Sequence, residues 1–391
     1  MKRKKSLKIC IIRHGFALDD PRIRKETFAL VERGHSVDII CLHKSARPEF
    51  ERYKGINIFR LPLSHKRKGI LRYFFEYTSS FIMVSILISY LHVFKQYDWI
   101  QVNTMPDFLV FTTLIPKFFG AKIILDLHEA MPELFRSKFN FAATNLSSKI
   151  LEFLERISIK YANNVLAVCN QTMQLHTCRG LSPSKAFIVH NVPDECLFDY
   201  RKYSGIKKEN EEFTLLSHGT VIERYGFQVL INAIPHLIEC IPKIRLLILG
   251  EGEYLSTLRK MTKEKNLAKY VTFLRRIPLE QVPLAIHYSN VCVVPIVKDK
   301  YTELMAPNKL FEYVAMKKPV VTSKMKGICD YFDDSCVMFF ESGNEKELAE
   351  RILELYRNPD RAKEIVKNAW ERYQNFRWNI TKQVYLKAFD L

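Results

Sequence analysis

Short apolar runs recur along this chain with helical stretches between them, and this alternation limits the fold more than any other feature. The first half carries KICIIRH (8–14), VDIICL (37–42), WIQVNT (99–104), KIILDLH (122–128), NVLAVC (164–169) and FIVHN (187–191). Strand-length runs spaced by helix-length segments read as β-α-β units on a parallel sheet. Near residue 200 the pattern lapses into FDYRKYSGIKKENEEF. It then restarts with FTLLSHG (213–219), RLLILG (245–250), VTFLRR (271–276), VCVVPI (291–296) and PVVTS (319–323). The lapse is a linker, so the expected architecture is α/β: two facing Rossmann-like, doubly wound domains, 1–200 and 201–370. An aromatic, amphipathic tail, 371–391, is expected to cross back to the first domain.

A chain of 391 residues is too long for one hydrophobic core and suits two domains. The nine cysteines form no C-x-x-C pair and no zinc spacing, which fits a reducing, cytoplasmic compartment. A formal charge of +18 implies an anionic partner, whether nucleic acid, lipid head groups or phosphorylated substrate. Nucleic acid is set aside, because the basic residues follow no recognition-helix pattern and no aromatic RNA motif. The start, MKRKKSLKICIIRHG, lacks the small-residue cleavage site of a signal peptide. The uncharged stretch YTSSFIMVSILISYLHVF (77–94) has three readings: a helix packed on a sheet, an interfacial membrane helix, or a span. The basic run His65 to Lys68 before it, with Arg72, is what a lipid-facing helix would carry.

In open α/β sheets ligands bind beyond the carboxyl ends of the strands, in a cleft that two facing domains would share. Of the loops there, the most informative leads into PNKLFEYVAMKKPVV (307–321). Pro307 suits the first helical position, and the free amides of that helix end, its dipole and Lys309 make an anion site. Glu312 lies three residues after Lys309 and four after Asn308, so all three share one side of the helix. A carboxylate one turn from a diphosphate cradle can accept hydrogen bonds from the hydroxyls of a ribose. The same Glu could equally be a solvent-facing surface residue.

PNKLFEYVAMKKPVV, together with HGTVIERYGFQVLINAIPHL, LLILGEGEYLSTL and KIILDLHEAMPEL in that order, resembles the family 4 retaining glycosyltransferases, which have the GT-B architecture. The resemblance runs over essentially the whole chain. It implies a nucleotide-sugar donor in the second domain, contacted by a glutamate pair spaced Glu-x7-Glu. Glu312 matches the second glutamate; the first falls on Leu304, and Glu303, the nearest carboxylate, is the catalytic candidate that the resemblance implies there. The family's loop cations fall where Thr220 and Tyr225 stand, which leaves Arg224 and Lys309 to neutralise the diphosphate beside Gly219. His128 is implied as the first-domain catalytic group, contacting the reacting sugar, although it could instead brace its own loop. Glu129 beside it is placed on the acceptor side. Gly15 allows close backbone approach to the ligand, and Arg22 either binds an acceptor phosphate or pairs with Asp20. GEGE (250–253) is implied to be a structural turn lining the nucleotide cleft.

The chain contains no D-x-D motif, so neither a catalytic metal nor a cofactor is expected. These features imply transfer of a sugar, of hexosyltransferase type, to a hydroxyl acceptor. That acceptor is expected to be a lipid-linked glycan or polysaccharide precursor, met by an enzyme peripheral to the membrane. A sugar-nucleotide epimerase of the same architecture, or a nucleotide-sugar-binding protein without catalysis, remains an alternative.

Overall fold

A computed structural model describes residues 6–43, 48–63, 70–139, 145–206 and 211–390. The basic run His65 to Lys68 lies outside them. The chain forms two compact units, one of residues 1–190 with 379–391 and the other of residues 191–378. The first boundary falls ten residues before the one expected at 200, because residues 191–203 pack within the second unit. There Arg377 donates two hydrogen bonds to Glu195, and Tyr200 packs edge-on against Trp370. The tail divides for the same reason. Helix Pro359–Tyr373 belongs to the second unit, and nearly all of helix Trp378–Lys387 to the first.

In the first unit the strands are β1 (Lys8–Arg13), β2 (Ser36–Leu42), β3 (Phe50–Tyr53), β4 (Ile56–Leu61), β5 (Trp99–Asn103), β6 (Lys122–Leu127), β7 (Asn164–Ala167) and β8 (Ala186–Ile188). They form one sheet in the order β3-β4-β2-β1-β5-β6-β7-β8, parallel except at β3. The hairpin β3–β4 was not anticipated. It turns on Lys54 and Gly55, with φ of 47° and 83°, the left-handed pair that a two-residue turn needs. The helices are α1 (Pro21–Glu32), α2 (Ile70–Lys95), α3 (Leu114–Phe118), α4 (Met131–Phe139), α5 (Asn145–Tyr161) and α6 (Asn170–Cys178). Asp20 caps α1 by accepting from the Arg22 N–H, and Pro21 follows at the first helical position. Buried Val84, Ile88 and Leu91 of α2 join Ile100, Val102, Ile123 and Leu125 of the central strands in one core. The packed-helix reading of residues 77–94 therefore holds for its inner face.

The second unit has β9 (Phe213–His218), β10 (Ile244–Leu249), β11 (Val271–Leu274), β12 (Val291–Val294), β13 (Val320–Ser323) and β14 (Met338–Phe340), all parallel, in the order β11-β10-β9-β12-β13-β14. The order reverses direction at β9, so the loops after β9 and β12 flank the switch point where such sheets hold ligands.

Candidate active site

In the second unit β9 ends at His218, and the chain turns at Gly219, with φ of 126°, toward the loop after β10. The two loops touch: the Val221 N–H donates to the Glu251 carbonyl at 2.9 Å. A Cβ at Gly250 would lie 1.9 Å from the Gly219 carbonyl oxygen, and one at Gly252 would lie 2.1 Å from that of Val221. GEG thus lets two backbones meet, a packing requirement rather than a dinucleotide fingerprint.

Across β9 lies the helix Asn308–Ala315. Pro307 precedes it in extended conformation as the N-cap, one position before the place expected, and no side chain caps the helix. The N–H groups of Asn308 and Lys309 have no intrahelical acceptor. Leu310, Phe311, Val314 and Ala315 are buried as expected, and Tyr313 joins them. Lys309 is only 8% exposed, and its ammonium has no hydrogen-bond partner among the described residues. Its Nζ lies 4.9 Å from the Phe227 ring centroid and 5.6 Å from that of Tyr225. Burial pulls its pKa down to about 8, against a smaller upward effect of Glu312. A cation buried against two ring faces with nothing to bond is open to an anion.

Glu312, one turn on, is not solvent-facing. Its Oε2 lies 2.6 Å from His218 Nε2, and His218 Nδ1 lies 2.9 Å from the Tyr313 hydroxyl. Tyr313 donating to Nδ1 leaves the ring proton on Nε2, which donates to Glu312. The other oxygen of Glu312 has no hydrogen bond among the described residues. Arg224 stands in the turn Glu223–Tyr225, its guanidinium 5.5 Å from the Tyr301 ring centroid. Tyr225, standing where a cation was expected, instead offers its ring to Lys309. Glu303 lies between Lys298 at 3.7 Å and Lys326 at 3.8 Å, with Oε1 buried and unbonded. Asn308 is exposed at the head of the helix.

The first unit holds the remaining expected residues at the ends of β1, β5 and β6. Arg22, 2% exposed, donates to Glu26 at 2.9 Å and pairs with Asp126 through Nη2. Its guanidinium is held by these two carboxylates rather than by Asp20, which bonds only the backbone N–H, and Nη1 is buried with no hydrogen-bond partner among the described residues. Gln101 ties Glu26, Asn103 and Asp126 together, and the Tyr385 hydroxyl donates to Gln101 at 2.7 Å. Burial raises Glu26 to about 7 and Asp126 to about 6, the first further raised by the charge of the second. His128 Nε2 lies 3.1 Å from Asp126 and 3.2 Å from Asn103. Burial and the nearby Arg22 and Arg13 hold its imidazole neutral, so Nε2 donates and Nδ1 keeps a lone pair. Half-buried Glu129 follows it in the loop before α4. Gly15 accepts from the Leu42 N–H; a Cβ there would meet Arg13 at an ordinary 3.5 Å, so the backbone does not demand glycine. Among the described residues no three His, Cys, Asp or Glu side chains gather as a metal site would need.

The glycosyltransferase family 4 profile matches residues 24–195, and the glycosyl transferases group 1 profile matches residues 200–372. The chain belongs to these glycosyltransferases. Over 75 residues, 19% of this chain and 20% of the relative, it is 36% identical to the GDP-mannose-dependent alpha-(1-6)-phosphatidylinositol monomannoside mannosyltransferase of Mycolicibacterium smegmatis. Its matches to curated relatives span between 20% and 49% of their length. Sucrose-phosphate synthase from Thermosynechococcus elongatus superposes with a TM-score of 0.74 at 20% identity, covering 98% of this chain and 99% of that one. Anabaena HepE, solved with UDP-glucose, superposes with 0.69 at 17% identity, covering 98% and 100%. These structural likenesses establish a GT-B fold. The residues found beside the expected ones that sequence spacing did not assign are His218 and Tyr313 in one unit and Gln101 and Asn103 in the other. Only a histidine closing a strand of the switch point hinted at the first.

Proposed function

We propose that this chain is a retaining hexosyltransferase that moves a sugar from a nucleoside diphosphate donor to a hydroxyl of a lipid-linked glycan or polysaccharide precursor. The reaction is placed on the cytoplasmic face of a membrane. The observation that carries this reading is the buried Lys309 ammonium, which lacks a hydrogen-bond acceptor among the described residues and sits one turn before Glu312 at an uncapped helix start. Breaking the bond between the anomeric carbon and phosphate oxygen leaves negative charge on the departing diphosphate. Lys309, the N–H groups of Asn308 and Lys309, and Arg224 are donors already set to meet it. With Oε2 held by His218, the other oxygen of Glu312 accepts from a ribose hydroxyl. On the first unit, neutral His128 presents Nδ1 to a hydroxyl of the reacting sugar, and Glu129 stands beside it. Glu303, between two lysines, is assigned with His128 to the catalytic pair beside the sugar. No residue is assigned as a covalent nucleophile, so retention is written as same-face attack on a short-lived ion pair.

Relatives such as the mycobacterial enzyme named for GDP-mannose and phosphatidylinositol monomannoside support a sugar nucleotide donor and a lipid-borne acceptor. The decisive test is a panel of nucleotide sugars scored by thermal shift. A donor at a hundred times its dissociation constant stabilises by about 2.7 kcal/mol. If no nucleotide sugar or nucleoside diphosphate raises the melting temperature, the reading is lost. Because protein cations neutralise the diphosphate here, chelation with EDTA leaves turnover unchanged; loss of turnover that Mg²⁺ or Mn²⁺ restores would refute the metal-independent form.

A further inference from the structure

Helix α2 inverts the usual pattern of a surface helix. Its inner face joins the core through Val84, Ile88 and Leu91, yet its outward face is apolar as well. The exposed side chains over Phe75–Phe94 are Phe75, Ile82, Ile86, Tyr90, Val93 and Phe94, with Thr78 as the one polar exception, and no charged residue is among them. They recur every three or four residues and so form one stripe. Phe75 is 71% exposed and Phe94 70%.

The neighbouring elements continue the surface. Helix α3 packs against α2 and exposes Leu114, Ile115 and Phe118, followed by Phe119; Phe118 is 84% exposed. Lys117 of α3 bonds the Tyr161 carbonyl at the end of α5 and lies over that residue's ring, which joins α3 to α5. On α5 the exposed residues are Lys149, Ile150, Phe153, Arg156 and Lys160. Lys149, Phe153, Arg156 and Lys160 fall on one helical stripe, and every exposed charge described on this helix is positive.

So many exposed apolar side chains on elements that pack against one another mark an interaction site. Two occupants compete, a second copy of the chain and a bilayer. A symmetric pairing of two copies through this face would bring like-charged α5 stripes together in a protein already carrying +18. An anionic bilayer supplies both the hydrocarbon that the aromatic side chains need and the phosphates that the cations need. By length and composition Phe75–Lys95 could cross a membrane. A span would have to pull Val84, Ile88 and Leu91 out of the core, so the helix can only lie along the interface.

We propose that the outer face of α2, α3 and α5 is the surface by which this protein seats on anionic lipid. Its aromatic and aliphatic side chains enter the head-group boundary, and Lys149, Arg156 and Lys160 lie among lipid phosphates. The proposal rests on the transferase reading only for what is met at the bilayer; its observations are independent of the donor site.

The test is flotation of the full chain with phosphatidylcholine vesicles, with and without phosphatidylglycerol, at low and high salt. Two variants accompany it, Phe118→Ser with Phe119→Ser, and Arg156→Glu with Lys160→Glu. The unaltered protein should float with the phosphatidylglycerol vesicles, and less so as salt rises. The serine variant should lose about tenfold or more of its partition at every salt concentration, and the glutamate variant should lose its preference for phosphatidylglycerol. All these side chains are exposed, so melting temperatures should match. Failure of the unaltered protein to float, or variants that float as well as it does, would overturn the proposal. So would a concentration-dependent dimer that the serine variant abolishes, since that assigns the face to a second copy. Thermal shift with nucleotide sugars on the same samples separates the two readings. Flotation without a donor shift leaves this face standing and removes the transferase; a donor shift without flotation does the reverse.

Discussion

Arg22 and Lys309 are both buried cations, one in each unit, and their surroundings differ in one respect. Arg22 has two carboxylates in contact, Glu26 and Asp126, which Gln101 ties in turn to Asn103 and to Tyr385, and only its Nη1 has no hydrogen-bond partner among the described residues. Lys309 has two aromatic faces and no acceptor among the described residues. A charge whose partners come from its own chain is part of the scaffold. One left without them costs folding energy that only a ligand returns. The contrast separates support from site without reference to any relative.

The largest effect should come from breaking the first arrangement. Arg22→Met leaves Glu26 and Asp126 buried without their cation, so chemical denaturation should show a loss of about 3–5 kcal/mol, the range for a buried pair stripped of one partner. A loss below about 1 kcal/mol would erase the contrast. The opposite sign is expected in the other unit. Lys309→Met keeps the volume and removes the unpaired charge, so the unliganded protein should gain about 1 kcal/mol or more. The same variant should weaken nucleoside diphosphate binding about a hundredfold, a charge-assisted contact of roughly 3 kcal/mol. A purely structural lysine would not divide the two measurements this way.

The fold was legible because its signal is periodic: each apolar run named from the sequence lies on a strand or overlaps one. What escaped was short or signalled by a turn. Strand β14 is only MFF, and the β3–β4 hairpin depended on reading Lys54-Gly55 as a left-handed pair. The site was legible only as loops, since strand ends are local features. Its pairings are not local. His218 meets Glu312 across 94 residues and Arg22 meets Asp126 across 104, and no spacing rule reaches that far. Arg22 shows both cases: Glu26, four residues on in α1, is within reach of a spacing rule, whereas Asp126 is delivered by β6.

A smaller effect sharpens the comparison within the second unit. Glu312→Ala removes the acceptor of His218 Nε2 as well as the oxygen assigned to a ribose hydroxyl. Stability should fall by about 1 kcal/mol, the net worth of one hydrogen bond. Donor affinity measured by calorimetry should fall about tenfold or more, roughly 1.4 kcal/mol. Glu312→Gln, which keeps an oxygen for either His218 or the ribose, should lie between the two. If Ala and the native Glu bind nucleotide sugars equally, the carboxylate belongs to His218 alone.

The smallest effect is a proton. Burial lowers Lys309 to about 8 from its ordinary 10.5, so between those values the unfolded chain holds a proton that the folded chain has released. Stability of the unliganded protein should therefore rise with pH across that window, since the unfolded state binds more protons there. A bound diphosphate reverses this by favouring the ammonium. Donor affinity should then decline as pH climbs past about 8. At that pH, binding should take up a fraction of a proton, seen as a calorimetric enthalpy that depends on the ionisation heat of the buffer. In Lys309→Met both the uptake and the decline should vanish. A decline that persists in the variant would assign the titration elsewhere, and the open charge of the second unit would lose its ligand.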